Sequence, residues 1–162
     1  MRKKITVFLL MFVVLKSFGQ QGDFDKGLIA FGSKNFKEAI SKLRPFAEKG
    51  NCIAQFAVGF SYMYSADSQN DTTARHWLLM AAEQKQSAAM GPLAANYFGS
   101  IAEDANVKAY MWAMLAAEYD ARQKFTTTRV LIKSYLKPGE LQKAEAIIKI
   151  YKDKWKDTPD CK

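Results

Sequence analysis

Apolar residues recur every three or four positions along most of the chain after about residue 23, which is the spacing of one face of an α-helix. Between residues 74 and 82 this stripe consists largely of small side chains, which would let a neighbouring helix come close, with one tryptophan beside them. The pattern predicts helix pairs at 23–31 with 36–49, 51–64 with 72–85, and 87–98 with 107–120. It also predicts helices at 126–136 and 138–156.

The small and aromatic positions of these helices repeat at intervals of 35 residues. The recurring sets are Ala39, Ala74 and Ala109; Ala47, Ala82 and Ala117; Ala54 and Ala89; Tyr62 and Tyr97; Gly59 and Ala94; Trp77 and Trp112. A period of about 35 residues is the length of one helix-turn-helix unit, and such units stack because a single pair cannot bury its apolar face. The sequence therefore predicts an all-α fold, an α-α superhelix of stacked helix pairs.

The repeated residues resemble those of the Sel1-like repeat proteins, which are relatives of the tetratricopeptide repeats. The stretch "AQFAVGFSY" and the following helix carry the spacing of that family's unit, and so does the stretch from Ala89 to Ala117. The end, "LKPGELQKAEAIIKIYKDKW", is similar to the capping helix of such arrays. The resemblance covers about residues 23–155 and implies repeat packing by Ala54, Gly59, Tyr62, Ala74, Trp77, Ala82, Ala89, Tyr97, Ala109, Trp112 and Ala117.

Two features depart from the family pattern. The turn after Tyr62 has Ser65 and Asp67 where the family usually has glycines, which puts the loop geometry in question. Pro92 falls inside the first helix of the third unit, where proline removes a hydrogen bond and clashes with the preceding turn. We therefore expect that helix to be kinked or to start late.

The first 19 residues have the features of a secretory signal peptide. A basic cluster is followed by an apolar run from Ile5 to Leu15, too short for the about 20 residues that a spanning helix needs. Small residues at Ser17 and Gly19 fit a cleavage site. We expect a signal at 1–19, a repeat domain at 20–157 and a flexible tail at 158–162. The predicted location is periplasmic or extracellular, and an uncleaved membrane anchor is the alternative.

Charge adds little to this interpretation. The whole chain carries +8, and four of these charges lie in the predicted signal, which leaves +4 after cleavage. The lysines near the C-terminus alternate with apolar residues at helical spacing, as on the solvated face of an amphipathic helix. We expect no nucleic-acid partner, and no membrane association after signal cleavage.

The candidate chemistry is sparse. His76 is the only histidine and lies off the packing stripe, and the chain lacks a phosphate-binding glycine loop, a paired-cysteine motif and a zinc-protease motif. We expect no catalytic residue, no metal, no cofactor and no enzyme activity; the alternative is an envelope hydrolase with His76 as general base. Cys52 and Cys161 are expected to be unpaired, because a disulfide needs Cα atoms within about 7 Å and the tail would have to fold back over several units.

We expect the chain to be an exported repeat scaffold that binds a protein or peptide partner on its concave face. In the family that the chain resembles, the first helix of each unit lines that face, and the second predicted unit has more apolar residues there than packing requires. The resulting binding hypothesis comprises Phe24, Leu28, Phe31, Ile53, Phe56, Phe60, Met63 and Tyr64. The alternative is that tight curvature or the capping helix buries them. The sequence identifies neither the partner nor the oligomeric state.

Overall fold

The computed structural model describes residues 22–65, 70–120 and 126–161, with side chains from residue 129 onward in the last range. Eight helices account for most of these residues: α1 (22–32), α2 (Phe36–Glu48), α3 (Cys52–Tyr64), α4 (Asp71–Glu83), α5 (Ser87–Tyr97), α6 (Ala105–Tyr119), α7 (Thr126–Ser134) and α8 (Pro138–Trp155). Each predicted helix is present, with ends displaced by at most two residues. The predicted all-α superhelix is confirmed, whereas the predicted signal at 1–19 lies outside the described residues.

Polar side chains cap the N-termini of several helices, and these caps follow the same 35-residue period. Asn51 accepts a hydrogen bond from the Ala54 backbone N–H at 2.8 Å, and Gln86, 35 positions later, accepts one from Ala88 at 3.3 Å. Asn70 accepts from the Thr73 N–H at 2.8 Å. These bonds satisfy backbone donors that have no partner within the helix. The cap before α4 is therefore Asn70, one residue ahead of the position expected from the sequence.

Helices α2 to α6 stack in chain order, each packed on its neighbours, so that α3–α4 and α5–α6 form successive units, and both α7 and α8 pack on α6. The buried side chains form two core clusters. The first core cluster lies among α1, α2 and α3 and also includes Trp77 of α4. The second core cluster extends from α4 to α8, where α8 packs on α6 and supplies Trp155. Helix α4 therefore contributes buried side chains to both core clusters.

Close contact between α3 and α4 depends on a residue without a side chain. A Cβ atom added at Gly59 would lie 2.9 Å from the Leu78 backbone nitrogen and 3.1 Å from the Ala74 carbonyl oxygen. Both distances are shorter than ordinary van der Waals contacts, so a larger residue would push the two helices apart. The equivalent position in the next unit, Ala94, is buried, so α5 and α6 accommodate a methyl group there.

The other residues expected at repeat contacts differ in their burial. Eight of them are almost wholly buried: Ala54, Ala74, Trp77, Ala82, Ala89, Tyr97, Ala109 and Trp112. Tyr62 and Ala117 are only partly buried. The side chain of Tyr62 packs against the first core cluster. Ala117 is therefore less buried than the equivalent Ala82, which is 0% exposed.

The proline in the third unit does not delay its helix. Helix α5 begins at Ser87 and continues to Tyr97 with Pro92 in its interior, so the expected late start is not observed. Proline removes one backbone donor from the helix. The turn around it is supported by packing, since Met90, Leu93 and Ala94 are all buried in the second core cluster.

The two cysteines form a disulfide, so the expectation that they stay unpaired is wrong. The Cα atoms of Cys52 and Cys161 lie 6.2 Å apart, within the range that a disulfide needs. Stacking brings the end of α8 beside the turn between α4 and α5. From there the last residues reach the start of α3 without crossing several units. The described part of the predicted flexible tail is therefore attached to the array.

Candidate functional site

Five aromatic side chains meet where the first two units join. We call Phe31, Phe36, Phe56, Phe60 and Tyr64 the N-terminal aromatic cluster. Phe60 is central, with ring centroids at 5.5 Å from Phe31, 6.2 Å from Phe36, 5.8 Å from Phe56 and 4.5 Å from Tyr64. Phe31 also lies 5.6 Å from Phe56. Most of these pairs are edge-to-face or tilted, which is the favourable geometry for aromatic rings.

The helical period explains how the N-terminal aromatic cluster forms. Phe56, Phe60 and Tyr64 are four residues apart on α3 and therefore lie on one face of that helix. Phe31 comes from the end of α1 and Phe36 from the start of α2, because the short turn between these helices brings both rings to the same end of the unit. Tyr64 remains 52% exposed, and the other four rings are partly buried.

The eight residues of the binding hypothesis do not all come together. Phe31, Phe56, Phe60 and Tyr64 are joined by ring contacts, as described above. Phe24 instead stacks edge-on against Phe46 at 5.1 Å, and both Phe24 and Leu28 pack against the first core cluster. Met63 packs against the second core cluster, and Ile53 is partly buried.

Phe36 belongs to the cluster although sequence reasoning omitted it. It is the first residue of a second helix, and the hypothesis considered only the first helix of each unit. The signal that could have identified Phe36 is its position directly after Asn35, a residue type that often caps the start of a helix. The short turn then places the first turn of α2 beside the last turn of α1.

A second group of rings closes the other end of the array. We call Trp112, Tyr119, Tyr151 and Trp155 the C-terminal aromatic cluster; its ring centroids are 4.9–6.4 Å apart. Trp112 and Trp155 are 1% exposed. The Tyr151 hydroxyl donates a hydrogen bond to Glu83 of α4. Burial first, and then this carboxylate, raise the pKa of Tyr151 well above its usual range.

The lysines of α8 are partly engaged with earlier helices, in addition to facing solvent. Lys154 pairs with Glu83 at 2.7 Å, and Lys152 pairs with Glu118 of α6 at 2.7 Å. The hydrogen-bonded Glu118 carboxylate raises the pKa of Lys152. Exposed ion pairs contribute little to stability, so their main effect is to orient α8 on the units before it.

The described residues offer His76 little that would support proton transfer. His76 is exposed, and its ring packs edge-on against the neighbouring Trp77 at 5.4 Å between centroids. Over the described ranges the structure gives His76 no hydrogen bond to a carboxylate or hydroxyl. The same ranges contain no group of three or more histidine, cysteine or acidic residues placed to hold a metal ion.

The helix pairs define an α-α superhelix, and one solved structure connects it with a known repeat class. No family model matches the chain, and no curated protein does. The chain is similar to the crystal structure of a protective antigen present in uropathogenic Escherichia coli strains, which displays a Sel1-like repeat fold, with a TM-score of 0.72 and 28% sequence identity. The match covers 84% of this chain and 30% of the length of that one. With its 35-residue repeat and this similarity, the chain has a Sel1-like repeat fold.

This fold is in general a scaffold for protein interactions. The helices of the described ranges are all too short or too polar to cross a bilayer.

Proposed function

We propose that the protein is an exported repeat scaffold that binds a protein or peptide partner through the N-terminal aromatic cluster on its concave face. The observation that carries the proposal is the exposure of Tyr64, 52%, at the edge of four further rings. Exposed aromatic groups of this kind are typical of binding surfaces, since rigid rings supply contact area at little entropic cost.

The repeat fold supports the same interpretation. Stacked helix pairs form an extended concave surface, which the first helices of the units line. Phe31 and the three rings of α3 lie on two such first helices. Phe36 adds an edge from α2. An extended or helical peptide with apolar side chains would fit a row of rings along neighbouring helices.

Three observations support export. The sequence of residues 1–19 has the pattern of a secretory signal. The Cys52–Cys161 disulfide is the kind of bond that persists in oxidising compartments and is rare in the cytosol. The similar protein from Escherichia coli is described as a protective antigen, which fits a location accessible from outside the cell. We propose a periplasmic or extracellular location.

The alternative, an envelope hydrolase with His76 as general base, lacks a supporting contact. A general base acts on a hydroxyl or water that it can reach and is usually oriented by a second polar group. The imidazole ring of His76 instead contacts the neighbouring Trp77 ring. We therefore assign the protein a binding role and no catalytic residue.

A capture experiment with two matched variants tests the binding role. Tyr64→Lys places a charge in the N-terminal aromatic cluster at an exposed position, while Ile101→Lys makes the same kind of change at a fully exposed apolar residue elsewhere. Both should keep the wild-type melting temperature. We expect the wild type and Ile101→Lys to retain the same partner from an extract of the native cell, and Tyr64→Lys to lose it. Equal capture by both variants would contradict the proposal.

Tyr64→Lys is a cleaner probe than a substitution at Phe60. Phe60 touches four other rings and is partly buried, so Phe60→Lys would lower stability as well as remove contact area. Loss of capture by Phe60→Lys would then have two explanations.

A further inference from the structure

The residues after α8 lie across two units of the array, and we call residues 156–161 the C-terminal strap. The strap starts at the end of α8, passes the turn between α4 and α5, and ends at the disulfide to Cys52, the first residue of α3. It therefore joins the capping helix to the second unit by a path outside the core. Residues 156–160 are exposed along this path.

Lys85 holds the middle of the strap. Its Nζ donates to the backbone carbonyl oxygens of Trp155 at 3.3 Å and Thr158 at 3.0 Å, and it pairs with the Asp160 carboxylate at 3.0 Å. The side chain is only 12% exposed and lies over the Tyr119 ring. These contacts join the turn between α4 and α5 to the end of α8 and to the strap.

The two sulfur atoms differ in how they can react. Cys52 is 7% exposed, whereas Cys161 is partly exposed. The Gln86 amide donates to the Cys161 sulfur at 3.3 Å and holds it at the surface of the α4–α5 turn. A thiolate from solvent therefore reaches Cys161 first. The sulfur of Cys52 then leaves at the N-terminus of α3, where unpaired N–H groups favour negative charge.

We propose that Cys161 is a site of thiol–disulfide exchange, at which a dithiol reductant opens the bond to Cys52 and releases the C-terminal strap while the repeat array stays folded. The reductant's thiolate bonds to the Cys161 sulfur, the bond between the cysteines breaks, and its electron pair leaves on the Cys52 sulfur, which takes up a proton. The reductant's second thiol then displaces Cys161 as a thiol and closes the oxidised reductant's own disulfide.

The first test identifies the attacked sulfur. The oxidised full chain is exposed to glutathione without denaturant, free thiols are trapped with iodoacetamide, and peptides are mapped by mass spectrometry. We expect glutathione on Cys161 and the alkyl group on Cys52, with an excess of about tenfold over the reverse pattern. Glutathione mainly on Cys52, or no reaction until denaturant is added, would overturn the proposal.

The second test follows the release of the strap by hydrogen exchange after reduction with dithiothreitol. We expect the amides of residues 156–158, 160 and 161 to exchange about tenfold faster or more, while the helices α4, α5 and α6 stay protected and the helical circular dichroism is unchanged. Loss of protection throughout the array on reduction would show that the bond maintains the fold, and would overturn the proposal. Unchanged exchange in the strap would overturn it as well.

A variant pair tests the contribution of Lys85. Lys85→Met removes the charge and the donors but keeps most of the side chain, and Lys156→Met makes the same change at an exposed residue of the strap. We expect glutathione to react with Lys85→Met several times faster, on the order of 3–10-fold, and with Lys156→Met at the wild-type rate. Equal rates in wild type and Lys85→Met would show that Lys85 does not hold the strap, which contradicts the release step.

Discussion

The two aromatic clusters have similar chemistry but differ in what lies over them. In the C-terminal aromatic cluster Trp112 and Trp155 are 1% exposed, and the Tyr151 hydroxyl has a carboxylate partner. In the N-terminal aromatic cluster Tyr64 is 52% exposed, and every ring is at least partly accessible. The difference arises because α8 contributes Tyr151 and Trp155 to the C-terminal aromatic cluster. The ring contacts of the N-terminal aromatic cluster involve only α1, α2 and α3.

The comparison separates a stabilising group of rings from a binding group within one fold. Burial of aromatic area is favourable wherever it occurs. A repeat array needs one terminal element that closes its core, and α8 performs this role at the C-terminal end. Rings that the chain itself leaves accessible are available to another molecule. The predictions below test this division, beginning with the largest expected effect.

Trp155→Ala should lower the free energy of unfolding by about 3–5 kcal/mol, because it empties the centre of a buried cluster. Phe60→Ala, the corresponding change in the N-terminal aromatic cluster, should cost less, about 1–2 kcal/mol, because Phe60 is partly exposed before the change. Urea unfolding followed by circular dichroism measures both. Equal losses would mean that both clusters are core and that the division is wrong.

Opening the disulfide should lower the free energy of unfolding by about 2–4 kcal/mol, because the bond closes a long loop and restricts the unfolded chain. The cysteines are 109 residues apart. The double variant Cys52→Ser with Cys161→Ser, compared with wild type in the oxidised form, gives the value from urea unfolding. As a control, reductant should lower the wild type to the level of the variant and leave the variant unchanged. No stability difference between oxidised wild type and the variant would contradict the bond's role in joining the two ends.

Ala82→Leu should cost about 1–3 kcal/mol, since Ala82 is wholly buried in the second core cluster and has no room for a larger side chain. Ala95→Leu on the exposed face of α5 serves as the control and should change stability by less than about 0.5 kcal/mol. Similar melting temperatures for the two variants would contradict the repeat register.

The smallest effect is confined to alkaline solution. The pKa of Tyr151 is raised from its ordinary value of 10.0, first by burial and then by Glu83. Above about pH 10 the unfolded phenol loses its proton while the folded one keeps it, so the free energy of unfolding falls as pH rises. Below about pH 10, Tyr151 does not make the free energy of unfolding depend on pH. Tyr97, whose pKa burial also raises, acts in the same direction.

Tyr151→Phe should therefore reduce the loss of stability between neutral and strongly alkaline pH without removing it entirely. Urea unfolding of wild type and variant at a series of alkaline pH values measures the slope. An unchanged slope in the variant would show that Tyr151 titrates as freely in the folded protein as in the unfolded chain.

The sequence predicted the helices and their stacking because both depend on local period. Spacings of three and four residues located each helix, and the 35-residue repeat identified the units. It did not predict the disulfide, since the distance between Cys52 and Cys161 depends on how the whole array brings the end of α8 beside α4. The N-terminal aromatic cluster shows the same limit. Phe56, Phe60 and Tyr64 share a helix face and were part of the binding hypothesis, whereas Phe36 joins them through a turn and was omitted.

The ion pairs of α8 were missed for a related reason. A pattern of lysines at helical spacing indicates a polar face, and it carries no information about which acidic residues of other helices lie opposite. Glu83 and Glu118 occupy those places because α4 and α6 stack in register with α8. Long-range contacts of this kind become visible only in three dimensions.

Site-specific photo-crosslinking tests the central claim most directly, that the N-terminal aromatic cluster binds a partner while the rest of the apolar surface does not. A benzophenone-bearing phenylalanine analogue is placed at Tyr64, which keeps an aromatic group there, or at the exposed control positions Ile101 and Ile150. After irradiation in the native cell, we predict a discrete adduct with another protein from position 64 and none from positions 101 and 150. Adducts from the control positions with none from position 64 would contradict the account.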